Sequence, residues 1–184
     1  MQITPEEAQQ SLDEIERVIA RTRKTIANRG TDLMLILWGV IWVLGYGLTQ
    51  FFPLQAGLFW MPLVVIGSVG SWTIGVRKAA VKGSIGWRIG VFWFTLFAYA
   101  GLWLFLLAPF NETRIGAFMA TVPMFAYVVG GLWFGRFFVF LGLGVTAATI
   151  LGVVAGGNYF NLWMAVAGGG ALIWSGIYIN RNWK

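Results

Sequence analysis

Histidine and cysteine are absent from this chain, and only 11% of its 184 residues are charged. Without cysteine there is no disulfide, no thiolate ligand and no thiol redox chemistry. Without histidine, the commonest metal ligand and the side chain that titrates nearest neutrality are both missing. Acids are few, and none lies inside a long apolar run; Asp32 stands at the edge of one, where it is expected to serve as a helix cap. The chain therefore has no buried relay of the kind that proton-coupled pumps use, and no ligand cluster for haem iron, zinc or magnesium. Serine chemistry inside a membrane needs a paired base, and Ser68, Ser71 and Ser175 have no Lys or His within their runs. These absences predict a protein that is not an enzyme, with no catalytic residue, no metal and no cofactor.

What is abundant is apolar surface: 58% of residues are hydrophobic and 17% aromatic, with a mean hydropathy of +0.74. A soluble domain carries about 25% charged residues, so a water-soluble reading is excluded. A helix rises about 1.5 Å per residue and the hydrocarbon core is about 30 Å thick, so a span needs roughly 20 apolar residues. Six windows meet this, at about 33–52, 57–76, 89–109, 115–135, 137–156 and 159–179. They are apolar on every side, unlike the alternating strands of a barrel. The expected fold is all-α: a membrane bundle of six transmembrane helices over 31–184, preceded by an amphipathic helix within 1–30.

Charge gives the orientation. Arg17, Arg21, Arg23, Lys24, Arg29, Arg77, Lys78, Lys82, Arg88, Arg136, Arg181 and Lys184 fall on one side of such a bundle, and only Arg114 on the other. The positive-inside rule then places both termini in the cytoplasm, with the bases facing anionic lipid headgroups rather than nucleic acid. The first apolar run is followed by Gln50, Phe51, Phe52 and Pro53 instead of a small-residue cleavage site, so it is expected to persist as a span. Asn111-Glu112-Thr113 matches a glycosylation acceptor, a match without meaning in a bacterial source.

The amino-terminal segment begins Thr4-Pro5-Glu6-Glu7, the pattern of an N-cap, a first-turn proline and a capping-box acid. Its acids precede its bases, which complements a helix dipole; Gly30 should end it, with Thr31 or Asp32 capping the next helix. Ala8, Leu12, Ile15, Ile19, Thr22 and Ile26 recur at alternating spacings of four and three and form one stripe. The stripe reads either as a short coiled-coil seam or, in preference, as the face of a helix lying on the bilayer or on its own bundle.

Small residues recur at helix-packing spacing: Gly67, Ser71 and Gly75; Gly131 and Gly135; Gly144, Ala148 and Gly152; Ala167, Ala171 and Ser175. Such stripes let helices approach closely in lipid, chiefly within the bundle but also between subunits. Most tryptophans fall at the predicted water interfaces. Trp42 does not; with Trp38, Tyr46, Tyr99 and Tyr127 it marks a candidate aromatic cavity, against the simpler expectation of packing. Pro62 is placed in the first turn of the second span, and Pro123 at mid-depth in the fourth, where a kink and a candidate hinge are expected.

The second, fourth and sixth spans end alike, in Ser71-Trp72-Thr73-Ile74-Gly75-Val76-Arg77, Gly131-Leu132-Trp133-Phe134-Gly135-Arg136 and Ser175-Gly176-Ile177-Tyr178-Ile179-Asn180-Arg181. This pattern predicts three successive hairpins. Leu37-Trp38-Gly39-Val40-Ile41-Trp42 leading to Phe52-Pro53 resembles the HdeD-like acid-resistance membrane proteins of bacteria. Asn158-Tyr159-Phe160-Asn161-Leu162-Trp163-Met164 is similar to endings of other bacterial six-span proteins. The resemblance implies a multi-pass protein of the bacterial inner membrane, and carries no site residue. The functional expectation is a non-enzymatic structural, stress-related or interaction protein that self-associates or binds another membrane protein, with lipids as its other partner. The alternative is a passive channel or a small-molecule or lipid transporter without a carboxylate proton relay.

Overall fold

A computed structural model describes residues 5–28, 30–78, 85–106, 108–109 and 111–183, and among them there is helix and no strand. Thr4, Arg29, Lys82 and Lys184 lie outside the described residues, so the expected Thr4 cap does too. Helix α1 is Pro5–Asn28, α2 Thr31–Phe51, α3 Ala56–Lys78, α4 Ile85–Leu106, α5 Glu112–Phe134 and α6 Arg136–Ala155. The last span is compound: α7 is Phe160–Met164, a π turn follows over Ala165–Gly169, and α8 is Gly170–Asn182. Among the described residues six helical stretches are long and apolar enough to cross a membrane, which makes this a multi-pass, all-α membrane protein.

Glycine and proline set the turns. Gly30 has φ 79°, accepts no helical continuation from α1, and starts α2. This corrects the expected cap: Gly30, rather than Thr31 or Asp32, stands at the N-cap position of α2. Gly135, at φ 125°, turns α5 into α6, while the Asn111 side chain caps α5 by accepting from the Arg114 N–H at 2.8 Å. Pro53 opens a single 3-10 turn between α2 and α3. Because α3 starts directly after it, Pro62 lies inside the helix, beyond the first turn where it was expected.

Helix α2 is central. On one side Gly39 meets the last span so closely that an added Cβ would lie 2.8 Å from the Ile173 nitrogen and 2.9 Å from the Gly169 carbonyl. Gly169 returns the contact, since its Cβ would meet the Gly39 carbonyl at 3.0 Å, and a Cβ added to Gly176 would lie 2.6 Å from the Asp32 carbonyl and 3.1 Å from the Ile36 nitrogen. On the other side α3 packs on α2 through Gly67, whose Cβ would strike Ile41 and Trp38. Helices α5 and α6 form a second tight pair, with Gly131 against the backbone of Val139 and Gly142 against the carbonyl of Met124. Both of these close approaches cross between hairpins of the expected repeat: α5 with α6 joins the second to the third, and α2 with the last span joins the first to the third.

The core runs between these pairs through Leu35, Trp42, Tyr46, Met124, Phe160 and Leu172. The π turn lies beside it, where Gly168 and Gly169 both face α2 and a run of three glycines offers no side chain to resist the wider turn.

Candidate functional site

The aromatic residues of α2 form one packed cluster. Tyr46 sets its ring edge-on to Trp42 at 5.8 Å, to Trp60 at 5.0 Å and to Phe160 at 6.3 Å. Three polar edges are satisfied: the Tyr46 hydroxyl donates to the Gly116 carbonyl at 2.8 Å, Trp60 Nε1–H to Thr49 Oγ1 at 3.1 Å, and Trp38 Nε1–H to Ser71 Oγ at 3.0 Å. Trp42 and Tyr46 are buried and Trp38 half-buried, so these three fill space instead of lining it.

Tyr127 and Tyr99 belong elsewhere. Tyr127 stacks on Phe138 and meets Trp93, whereas Tyr99 is largely exposed on α4. The five aromatic residues expected around one cavity are thus divided between the core around α2 and the surface between α4 and α5. The physical reason is rotation: depth along a span can be read from a sequence, but which side of the helix faces which neighbour cannot.

A groove of about 560 Å³ lies between α4 and the α5–α6 pair, lined by Tyr99, Ala100, Trp103, Phe118, Phe125 and Leu143 among others. Its hydroxyls are those of Tyr99, Thr121 and Thr146, and Thr121 already donates to the Phe118 carbonyl at 2.9 Å. Such a lining suits an acyl chain or an apolar helix face. The residues that line it include no Asp, Glu, Lys or Arg. No group of three or more His, Cys, Asp or Glu gathers among the described residues.

Asp32 is fully buried in the first turn of α2, and its backbone carbonyl lies against Gly176 of α8. Pro123 is half-buried within a helix that continues through it. The next residue, Met124, is clamped through its carbonyl against Gly142, so the proline shapes α5 inside the tightest pair of the fold.

The small residues divide by position. Gly67, Gly131 and Gly152 are buried at contacts, Ser71 accepts the Trp38 bond, and Ser175 is buried on α8. Gly75 makes only an ordinary contact with Met34, and Ala167 and Ala171 are half-buried at the edge of the core. The Ala148 carbonyl accepts from Trp163 Nε1–H at 2.7 Å. Gly135 is the α5–α6 turn and Gly144 faces outward with nothing near it, so neither supports packing within this chain. Gly39, Gly142, Gly168, Gly169 and Gly176 also make close approaches, and had no signal separating them from the other glycines. Trp183, expected at the water interface, is buried against Phe137 and Phe138.

One end of the bundle gathers the bases. Gly30 lies beside Lys78, the Arg23 guanidinium is 5.8 Å from the Trp183 ring centre, and Phe137, next to Arg136, stacks on Tyr178. No family model matches the chain, and comparison with curated proteins and with solved structures gives no match either.

Proposed function

We propose that this is a non-enzymatic protein of the bacterial inner membrane that works by lateral association, with itself or with another membrane protein, in a structural or stress-related role. The observation that carries this reading is the coverage of the spans. Of α3 only Gly67 is buried, and of the described part of α4 only Ala100. Their remaining surface, with Leu58, Val65 and Trp72 on α3 and Phe94, Phe105 and Leu106 on α4, is open to lipid or to a partner. Glycine-rich helices with no polar depth are suited to packing against other helices. The gathering of bases at one end supports cytoplasmic termini.

The test is cross-linking in native membranes followed by purification. A ladder of homo-oligomers or a constant co-purifying membrane protein is the expected result. A strictly monomeric species with no companion counts decisively against it. The groove between α4 and α5–α6 favours a second reading, passive transport of a lipid or small molecule. Proteoliposomes that pass labelled lipid or solute, and lose this when Thr121 is changed to Leu, would establish that reading instead. Proteoliposomes tight to ions, solutes and lipid remove it.

A further inference from the structure

Among the described residues, helix α1 is seated on the bundle at its carboxy-terminal end. Ala27 is buried, Ile26 packs at the edge of the core, and Arg23 sits over Trp183. Further back, Leu12, Ile15 and Val18 are each more than half exposed. Val18, Thr22, Ile26 and Phe134, at the end of α5, border a recess of about 340 Å³. The helix therefore passes across the end of the bundle, with one apolar stripe running from this recess out to uncovered surface.

Three features of the chain say what covers it. First, six apolar or small positions alternate four and three, the spacing of a coiled-coil seam, with Val18 at its flank. Second, the seam is symmetric about Arg17: Ile15 and Ile19 stand two residues to either side, Leu12 and Thr22 five, and Ala8 and Ile26 nine. Third, the acids Glu6, Glu7, Asp13, Glu14 and Glu16 all precede Arg17, and Arg21, Arg23, Lys24 and Arg29 all follow it. Two copies laid antiparallel set acidic half against basic half, whereas two parallel copies set like against like. Arg17 itself lies on the side of the helix away from the seam.

We propose that α1 pairs antiparallel with α1 of a second copy, centred on Arg17, so that Leu12 of each enters the recess beside Thr22, Ile26 and Phe134 of the other. A two-fold axis along the bundle reverses any segment laid across its end, so the symmetry of a membrane dimer supplies this arrangement. A membrane surface fits less well: α1 has no aromatic anchor, and its acidic half would face anionic headgroups. The pairing rests on the self-associating reading above and gives it a surface.

Because the chain has no cysteine, single cysteines report the register directly. In membranes carrying the full chain, Val18→Cys, near the axis, should be trapped as a dimer by a short thiol cross-linker. Leu12→Cys alone should not, and Leu12→Cys co-expressed with Thr22→Cys should give the mixed dimer. Adding Leu12→Glu to Val18→Cys should abolish the dimer. Self-trapping of Leu12→Cys would mean parallel pairing and would overturn the proposal. No thiol-trapped dimer, while amine cross-linking still yields oligomers, sinks α1 pairing and leaves self-association standing. Absence of oligomers by both routes sinks both.

Discussion

Helices α3 and α4 differ little in hydropathy from α2 and the last span, yet their fates differ. The apolar windows have mean hydropathies of 1.5 and 1.9 for α3 and α4, against 1.7 for α2 and 1.5 for the last span. Only 6% of each of the first two windows is buried, against 39% and 44% of the others. Hydropathy therefore decides that a segment enters the membrane and says nothing of what it packs on. Lipid is as apolar as leucine, so burial is won by shape: α2 and the last span touch backbone to backbone at Gly39, Gly169 and Gly176. Helix α3 reaches α2 through side chains at Gly67 and Ser71, and α4 reaches α5 mainly through Ala100 and Trp93.

One of the two largest effects should come from Gly39→Leu. Its side chain would need space held by the Gly169 carbonyl and Ile173 nitrogen, and backbone cannot rotate away. A loss at or above the usual overpacking range of about 1–3 kcal/mol is expected, read by denaturant unfolding in mixed micelles. Retention of full stability would mean the two helices are not in backbone contact. Phe160→Ala removes a fully buried ring from the Tyr46 cluster and should cost about 3–5 kcal/mol by the same measurement, less if lipid fills the space.

Smaller effects sharpen the contrast. Tyr46→Phe deletes the bond to the Gly116 carbonyl while keeping the ring, and about 1 kcal/mol is expected. Gly144→Leu, with nothing near it, should change protomer stability by no more than about 0.5 kcal/mol. Trp72→Ala on exposed α3 should likewise leave the protomer unchanged, while lowering the yield of cross-linked oligomers if association uses that face. A marked loss of protomer stability in Trp72→Ala would show that α3 is covered within one chain.

Much of the fold was legible in the sequence because its signals are local. Six apolar runs became six spanning stretches with ends shifted by a few residues, and Gly30 and Pro53 turn the chain where expected. Other local signals misled. Asp32 is a favoured capping residue, but the left-handed Gly30 takes the cap position and leaves Asp32 buried in the first turn. The candidate aromatic cavity gives way to the simpler expectation of packing, because Trp38, Trp42 and Tyr46 turn toward α3 and the last span while Tyr99 turns outward.

By itself the sequence determined the helical class, the number of long apolar helices and the clustering of bases at one set of helix ends. Each of these depends on composition and spacing along one segment. Only the tertiary structure decided which glycines are contacts. Gly142 and Gly144 are neighbours in one helix with the same composition around them, yet one is pressed on the Met124 carbonyl and the other faces open space. The π turn and the seating of α1 on Trp183 arose the same way. The reason is physical: with no water in the bilayer to rank one apolar face above another, the facing surface of each helix is set by the shape of its neighbours.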